Sequence, residues 1–473
     1  MKKKVFVSGD FNILHPGHLR LLKFAKESGD YLVVGVSNDK LSNNKGMPQE
    51  VRLESIKATS YVDESFILDE LPSEYIKKNK PDIVVKGKEH EKLVNEELEV
   101  INSYGGKLLF SSGEIGFSSL DLLREDFLTS SQTLKHSSSY QKRHKFNLSD
   151  LKDTVEKFSQ LSVLVIGDTI VDEYITCEPL GMSQEDPTIV VSPLFSDTFI
   201  GGSAIVASHA KTLGADVEFI SVCGDDESAK YVEDGLNKLD IKTSIFTDAT
   251  RPTTLKQRFR ANTKTLLRVN HLKQHAISKD IQEMILSKII QSIKNLDLII
   301  FSDFSYGILT DDLIDKITKL ASSYDVKMVA DSQSSSQVGD ISKFKGMTLV
   351  TPTEREIRLS LGDFESGLVV LSEKLSQKSD AKYVFTTLGA EGVMIYNTNK
   401  DELLTDNIKA LSSNVKDVSG AGDSLLTCSS MALCVGADIW QSAYLGSMVA
   451  GIQVSRIGNI PITKDEILKE LHI

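Results

Sequence analysis

Two short stretches carry residue types at spacings that could do chemistry. The first is DVSGAGDS, Asp417 to Ser424, which lies just ahead of a helix-like run from Leu425. Small residues at Ser419, Gly420, Ala421 and Gly422 let the backbone turn tightly and aim several N–H groups at one point, an anion site at a helix N-terminus. Asp423 falls in the first turn, where the helix dipole should keep it ionised and make it a weak base. In a loose phosphoryl transfer the attacking hydroxyl loses its proton late, so position would count for more than basicity. A plain glycine-rich turn with an acidic cap is the competing reading. The second stretch is GDFNILHPGHLR, whose His15 and His18 are three apart and can face one side of a helix start. Two imidazoles there could bind a nucleoside triphosphate and stabilise charge on its α-phosphate as pyrophosphate leaves. Two solvated histidines, or a metal pair short of ligands, are the alternatives.

Elements must hold these residues in place. VFVSG (Val5 to Gly9) reads as a buried strand, LRLLKFAKESG as an amphipathic helix ended by Gly29, and YLVVGVSND as a second strand. Together they form a βαβ unit with the histidine loop at the carboxyl edge of its parallel strands. From VLVIGDTIVDEYI (Val163 to Ile175) a new pattern starts, continuing through VEFISVCG, LDLIIFSDF, VKMVADS, MTLVTPT and KYVFTTLG. Strands and helical runs alternate over about 310 residues, which predicts a large α/β sheet with helices on both faces. Carboxylates recur at its strand ends: Asp168, Asp172, Asp303, Asp331 and Glu356. Such groups can bind sugar hydroxyls or Mg²⁺ through water, or simply solvate loops and cap helices. Gly201 and Gly202 precede another helix and permit close backbone approach to a ligand.

The chain has 473 residues, room for two or three domains. Its net charge of −12 argues against a general nucleic-acid or anionic-membrane binder while leaving space for a local basic pocket. Cys177, Cys223, Cys428 and Cys434 are too few and too scattered for a disulfide framework. Neither a signal-peptide core nor an apolar stretch of about 18 residues occurs, so cytoplasm is the expected location. Residues 126–148 are rich in Ser, Thr and basic side chains without an apolar period, and they read as an exposed linker between domains at 1–125 and 149–473.

GDFNILHPGH resembles the signature of the cytidylyltransferase-like nucleotidyltransferases, and about 120 residues share the likeness. That resemblance implies a Rossmann-like domain in which Gly9, Lys45 (in NKGMPQEVR), Arg52, Lys86 (in PDIVVKGKEHE), Ser118 and Ser119 bind nucleotide or phosphate, with His15 and His18 catalytic. The larger part resembles the ribokinase-type (PfkB) sugar kinases. More closely, it is similar to the kinase half of the bifunctional heptose-phosphate kinase/adenylyltransferases, through GDTIVDEY, GMSQEDPTIVV, TTLKQRF, LLRVN, FSDFSYG, TPTEREI, TTLGAEG and DVSGAGDS. The order of the two domains is reversed relative to that family.

This second resemblance implies a ribokinase-like α/β domain with a β-lid, ATP and Mg²⁺. Asp423 would be the base, and the N–H groups of Gly420, Ala421 and Gly422 would hold the transferring phosphoryl group. Thr387 and Gly389 would line the nucleotide, Glu356 would hold Mg²⁺ through water, and Asp168, Asp172, Gly201 and Gly202 would face the sugar. The lid, from Tyr174 to Val191 and Thr253 to Asn270, often pairs two subunits, so a homodimer is expected. Three departures stand out: Ile205 replaces an asparagine usual in the family, Thr353 replaces a common asparagine, and Ser332, Gln333, Ser334 replace the Pro-Lys-Gly of the heptose kinases.

The function expected from all this is bifunctional. A sugar or sugar phosphate, heptose 7-phosphate among the candidates, is phosphorylated from ATP, and a sugar 1-phosphate is joined to a nucleotide from ATP or CTP. The alternatives are a polyol-phosphate cytidylyltransferase with a kinase of changed specificity, and a degenerate sugar-binding, dimerising module.

Overall fold

A computed structural model describes residues 3–12, 14, 16–40, 47–87, 97–111, 134, 136–261, 264–333, 339–399, 405–412 and 414–471. His15, Lys45, Ser118 and Ser119 lie outside the described residues. The chain divides into two compact units, Met1–Ser131 and Gln132–Ile473.

The first unit is built on five strands, β1 (Lys4–Gly9), β2 (Tyr31–Ser37), β3 (Glu64–Leu68), β4 (Ile83–Gly87) and β5 (Lys107–Ser111). They form a wholly parallel sheet in the order β3-β2-β1-β4-β5. Its strands bury both faces: Val5, Val7, Val34 and Val85 point to one apolar cluster, Phe6, Val33 and Val84 to the other. Near-continuous aliphatic runs such as VFV and LVV mark a parallel sheet covered on both sides.

In the second unit β6 (Ser162–Gly167), β7 (Thr169–Met182), β8 (Ile189–Gly202), β9 (Asp216–Cys223), β10 (Lys242–Thr247), β11 (Thr254–Ala261), β12 (Lys264–His271), β13 (Leu298–Asp303), β14 (Lys327–Ser332), β15 (Leu349–Val350), β16 (Tyr383–Thr387), β17 (Val393–Asn397) and β18 (Thr405–Ile408) form two sheets. The large one runs β10-β9-β6-β13-β14-β15-β16-β17-β18. It is parallel from β10 to β16, with β17 and β18 antiparallel at one edge. Leu298 and Ile300 of β13 face one core and Ile299 and Phe301 the other, the alternation of a sheet between two helical layers. The small sheet is the expected lid, β12-β11-β7-β8. It is antiparallel except where β11 runs parallel to β7.

Of the expected linker 126–148, residues 126–133 and 135 lie outside the described residues, and the rest differs from an exposed linker. Ser138–His144 is helical, and Leu134, Tyr140 and Phe146 are buried. Tyr140 stacks on Tyr444, and its hydroxyl donates to the Trp440 carbonyl at 3.2 Å. His144 stacks on Trp440 at 4.2 Å, and Arg143 and His144 both contact Asp406. The basic cluster therefore belongs to the second unit, attached through its rings. No helix among the described residues is long and apolar enough to cross a membrane. All four cysteines are free thiols.

Candidate active site

In the second unit the carboxyl ends of β14, β15 and β16 and the underside of the lid open on one cleft of about 610 Å³. The helix Ala421–Cys434 points its N-terminus into it. Gly420, with φ 76°, is the N-cap, in the left-handed region that glycine occupies without penalty. Behind it the turn is braced on three sides. Ser419 N–H donates to Asp417 Oδ1 (3.1 Å), Gln453 Nε2 to the Ser419 carbonyl (3.2 Å) and Gly458 N–H to Asp417 Oδ2 (3.1 Å). From the lid, Tyr174 Oη donates to Asp417 Oδ2 at 2.8 Å, and Arg258 Nη1 to Ser419 Oγ at 2.8 Å. These contacts hold the Asp417 carboxyl below its usual range despite partial burial.

Gly422 and Asp423 are in the first helical turn, whose N–H groups have no intrahelical acceptor. A Cβ on Gly422 would meet open space, so the glycine keeps this side of the cleft clear. Ala421 N–H differs from expectation, since it points back to the Val418 carbonyl at 3.4 Å.

Asp423 is 5 % exposed. Burial, then the charge of Asp172, pushes its carboxyl up to about 7, against the pull of Lys256. The expectation of a weak, dipole-stabilised base is thereby overturned. A helix end supplies at most about 2 kcal/mol of stabilisation, and full desolvation of a carboxylate outweighs it. Gln333 Nε2 donates to Asp423 Oδ1 at 3.1 Å.

Asp172 lines the cleft from β7, ion-paired to Arg258 Nη2 at 3.1 Å, with burial still holding its carboxyl above the usual range. Gly202, Thr387, Gly389 and Glu356 line the cleft as well. Glu356 Oε2 also accepts from Thr353 N–H and Oγ1, both at 2.8 Å, a reciprocal capping box. Gly201 lies behind Asp172: a Cβ there would sit 2.6 Å from Asp172 Oδ2. Asp168 does not face the cleft as expected. One carboxylate oxygen accepts from the Phe304 and Tyr306 N–H groups, and burial beside Asp303 raises the group to about 6. It anchors the turn after β13 instead. Asp303 is likewise consumed, by Lys343 at 2.8 Å and by Ser332 Oγ at 2.8 Å.

The first unit brings fewer of its candidates to one place. Gly9 ends β1, and Phe11, buried at φ 48°, packs edge-on against His18 at 5.2 Å. Arg52 is fully buried, and its guanidinium donates to the carbonyls of Met47 (3.0 Å) and Asp10 (2.7 Å) and to Asp39 Oδ1 (2.6 Å). It ties the loops after β1 and β2 together, and with three of its five N–H groups engaged and its side chain fully buried it sits as a structural tie, where an exposed phosphate ligand was expected. Lys86 Nζ pairs with Glu97 Oε2 at 2.8 Å.

Residues 160–465 match the profile of the pfkB family carbohydrate kinases. The chain belongs to that family. Residues 6–143 match the cytidylyltransferase-like profile, so a nucleotidyltransferase-like domain precedes the pfkB kinase domain. That match runs past the break at residue 131, although 134–146 pack with the kinase unit. The bifunctional protein HldE of Campylobacter jejuni (strain RM1221) is 31 % identical over 317 residues, 64 % of this chain and 63 % of the relative. That of Desulfatibacillum aliphaticivorans is 28 % identical over 321 residues, 67 % and 64 % of the two chains. The alignments thus span less than two thirds of these relatives' length. The ribokinase of Thermotoga maritima superposes with a TM-score of 0.53 at 19 % identity, over 66 % of this chain and 100 % of its own. Phosphofructokinase-2 of Escherichia coli gives 0.54 at 13 %, over 66 % and 98 %. Both likenesses speak for the fold.

Several groups of the pfkB cleft escape a reading of local sequence. Lys256 and Arg258 come from β11, in register with Asp172 and Tyr174 of β7 more than 80 positions earlier. Asn459 lies in a loop with no motif of its own, and Gln333 stands out along the chain only as a departure from Pro-Lys-Gly, not as a partner of Asp423. TTLKQRF and the strand alternation locate β11, but nothing local says which face it turns to the cleft. Asp331, Glu356 and Asp423 line the same cleft, where a divalent cation would have to be held through water. Asp331 is held well above its usual range by burial and by the charges of the other two, a repulsion that a cation would relieve. Among the described residues no three His, Cys, Asp or Glu side chains are grouped so as to hold a metal ion by themselves, so a bound ion would take most of its shell from water and substrate phosphate.

Proposed function

We propose that this chain makes a nucleotide-activated sugar through two transfers. The pfkB domain moves the γ-phosphoryl group of ATP to a hydroxyl of a sugar or sugar phosphate, heptose 7-phosphate being the first candidate. The cytidylyltransferase-like domain joins a sugar 1-phosphate to a nucleotide from ATP or CTP and releases pyrophosphate.

What carries the kinase reading is Asp423, a carboxylate titrating near 7 in the first turn of a helix that opens on the cleft. Near neutral pH it can take the proton of the attacking hydroxyl. Gln333 holds one of its oxygens and orients it. Asp172 would hold the acceptor, and Thr387 and Gly389 would flank the nucleotide. First-turn N–H groups, chiefly of Gly422 and Asp423, would meet the developing phosphoryl charge. Asp331 and Glu356 would hold Mg²⁺ through water, and the ion would neutralise phosphate charge. The lid excludes bulk water above the cleft.

Leu180, Met182, Ile189, Leu194, Phe195 and Leu267 are more than half exposed on the lid strands, an apolar surface suited to pairing with a second subunit. Sedimentation of the full chain checks this: a homodimer is expected, and Phe195→Glu should yield monomer. Both substrates are soluble metabolites, which agrees with a cytoplasmic site.

The deciding experiment supplies the full chain with ATP, Mg²⁺ and a panel of pentoses, hexoses, heptoses and their phosphates, and identifies products by mass. ATP and CTP are then offered separately with the sugar 1-phosphates. Phosphoryl transfer lost in Asp423→Asn supports the kinase. A silent panel would leave a degenerate binding module, the reading that Ile205, buried in the helix Ser203–Thr212, and the loss of a lysine at Gln333 favour.

A further inference from the structure

Asn459 is 8 % exposed and lines the kinase cleft, yet its Oδ1 has no hydrogen-bond partner. The other end of the carboxamide fixes its orientation, because Nδ2 points to Asp172 Oδ2 at 3.4 Å and a flipped amide would set oxygen against carboxylate. Two glycines leave the space it fills. A Cβ on Gly420 would come within 2.4 Å of Asn459 Oδ1, and one on Gly201 within 3.3 Å of Nδ2. The carboxamide is therefore wedged between the anion turn and the glycine pair, where acceptor and phosphoryl group would meet. Its loop is held by Gly458, whose N–H donates to Asp417 and whose carbonyl accepts from Gln453 Nε2 at 2.9 Å.

A buried acceptor without a donor is costly to leave unmade. We propose that Asn459 is a specificity residue of the kinase site: its Oδ1 accepts a hydrogen bond from a neutral hydroxyl of the phosphoryl acceptor, near the hydroxyl that is phosphorylated. A phosphate oxygen at this point would set acceptor against acceptor, so the substrates selected carry a free hydroxyl here and any phosphate elsewhere. A site built to pair with a hydroxyl discriminates sharply against analogues that lack it. The inference rests on the kinase reading and adds to it which part of the acceptor is read.

The test uses the full chain, ATP with Mg²⁺, the best acceptor of the panel and its monodeoxy derivatives. Asn459→Leu should lower kcat/KM for the acceptor about 10- to 100-fold, chiefly through KM, and leave the KM for ATP unchanged. One monodeoxy acceptor should be as poor with the wild-type chain, and it should lose nothing further with the variant. Asn459→Ser, which adds no bulk, repeats the comparison should the leucine variant fail to fold. If all monodeoxy acceptors respond alike to the substitution, or the ATP and acceptor KM values rise together, Asn459 only supports the loop and the inference is overturned. Wild-type turnover with no response to either variant overturns it too, while the kinase reading stands. A panel silent with the wild-type chain removes both.

Discussion

The loops at the strand ends of the two units use charge in opposite ways. In the first, Arg52 is buried and donates to Met47, Asp10 and Asp39, and Lys86 is matched by Glu97. In the second, burial holds Asp423, Asp172 and Asp331 above their ordinary range, and Arg258 compensates only Asp172 by a direct ion pair. A paired and saturated charge holds a fold, whereas an uncompensated buried carboxylate costs stability and persists where chemistry uses it. The largest effect should therefore come from the second kind. Asp423→Asn should lower phosphoryl transfer roughly 10²- to 10⁴-fold, measured as ADP release, and leave pyrophosphate release by the other domain intact.

The same substitution should stabilise the kinase unit. Asp423 has its folded pKa raised to about 7, so its contribution to stability is present below the unfolded value and lost as pH rises through about 7. An asparagine carries no such loss. Above about pH 7 the variant should gain on the order of 3 kcal/mol in urea unfolding of the second unit, and near pH 4 almost nothing. Equal stability at both pH values would mean that Asp423 is not buried as a carboxylic acid.

Arg52→Ala should do the reverse. It removes donors from two loop carbonyls and leaves a cavity in the first unit, at a cost of about 3 kcal/mol seen as a lower melting transition for that unit. Asp39 is half exposed and adds little. If the unit keeps its stability and loses only nucleotide affinity, Arg52 is a phosphate ligand after all and the contrast fails.

Much of this contrast can be read along the chain, and part of it cannot. Aliphatic runs locate the strands of both sheets, and small residues at 419–422 locate the turn at the start of the helix Ala421–Cys434. The sign of the shift at Asp423 is another matter, because it depends on residues remote in sequence that bury the group and set Asp172 beside it. Arg52 and Asp168 look like ligands in one dimension because a charged residue near a strand end gives no sign of its partners, even where, as for Arg52, it lies in the helix Gln49–Lys57. The segment at 134–146 lacks an apolar period because its buried side chains, Leu134, Tyr140 and Phe146, are far apart, and Tyr140 and His144 make their contacts through rings with polar tips.

The smallest effect separates the two contributors to the shift at Asp423. Desolvation is the larger and the charge of Asp172 the next. The rising limb of kcat/KM should follow the ionisation of the base, with activity appearing as pH increases through about 7. Asp172→Asn removes one negative charge and leaves the burial, so the limb should move to lower pH, by less than about one unit. Any loss of acceptor affinity from Asp172 lowers the height of the profile and does not displace it. A limb that stays in place would assign the whole shift to burial. A limb that moves to higher pH would mean that losing the ion pair to Arg258, 3.1 Å long in the parent, rearranges the cleft and desolvates Asp423 further.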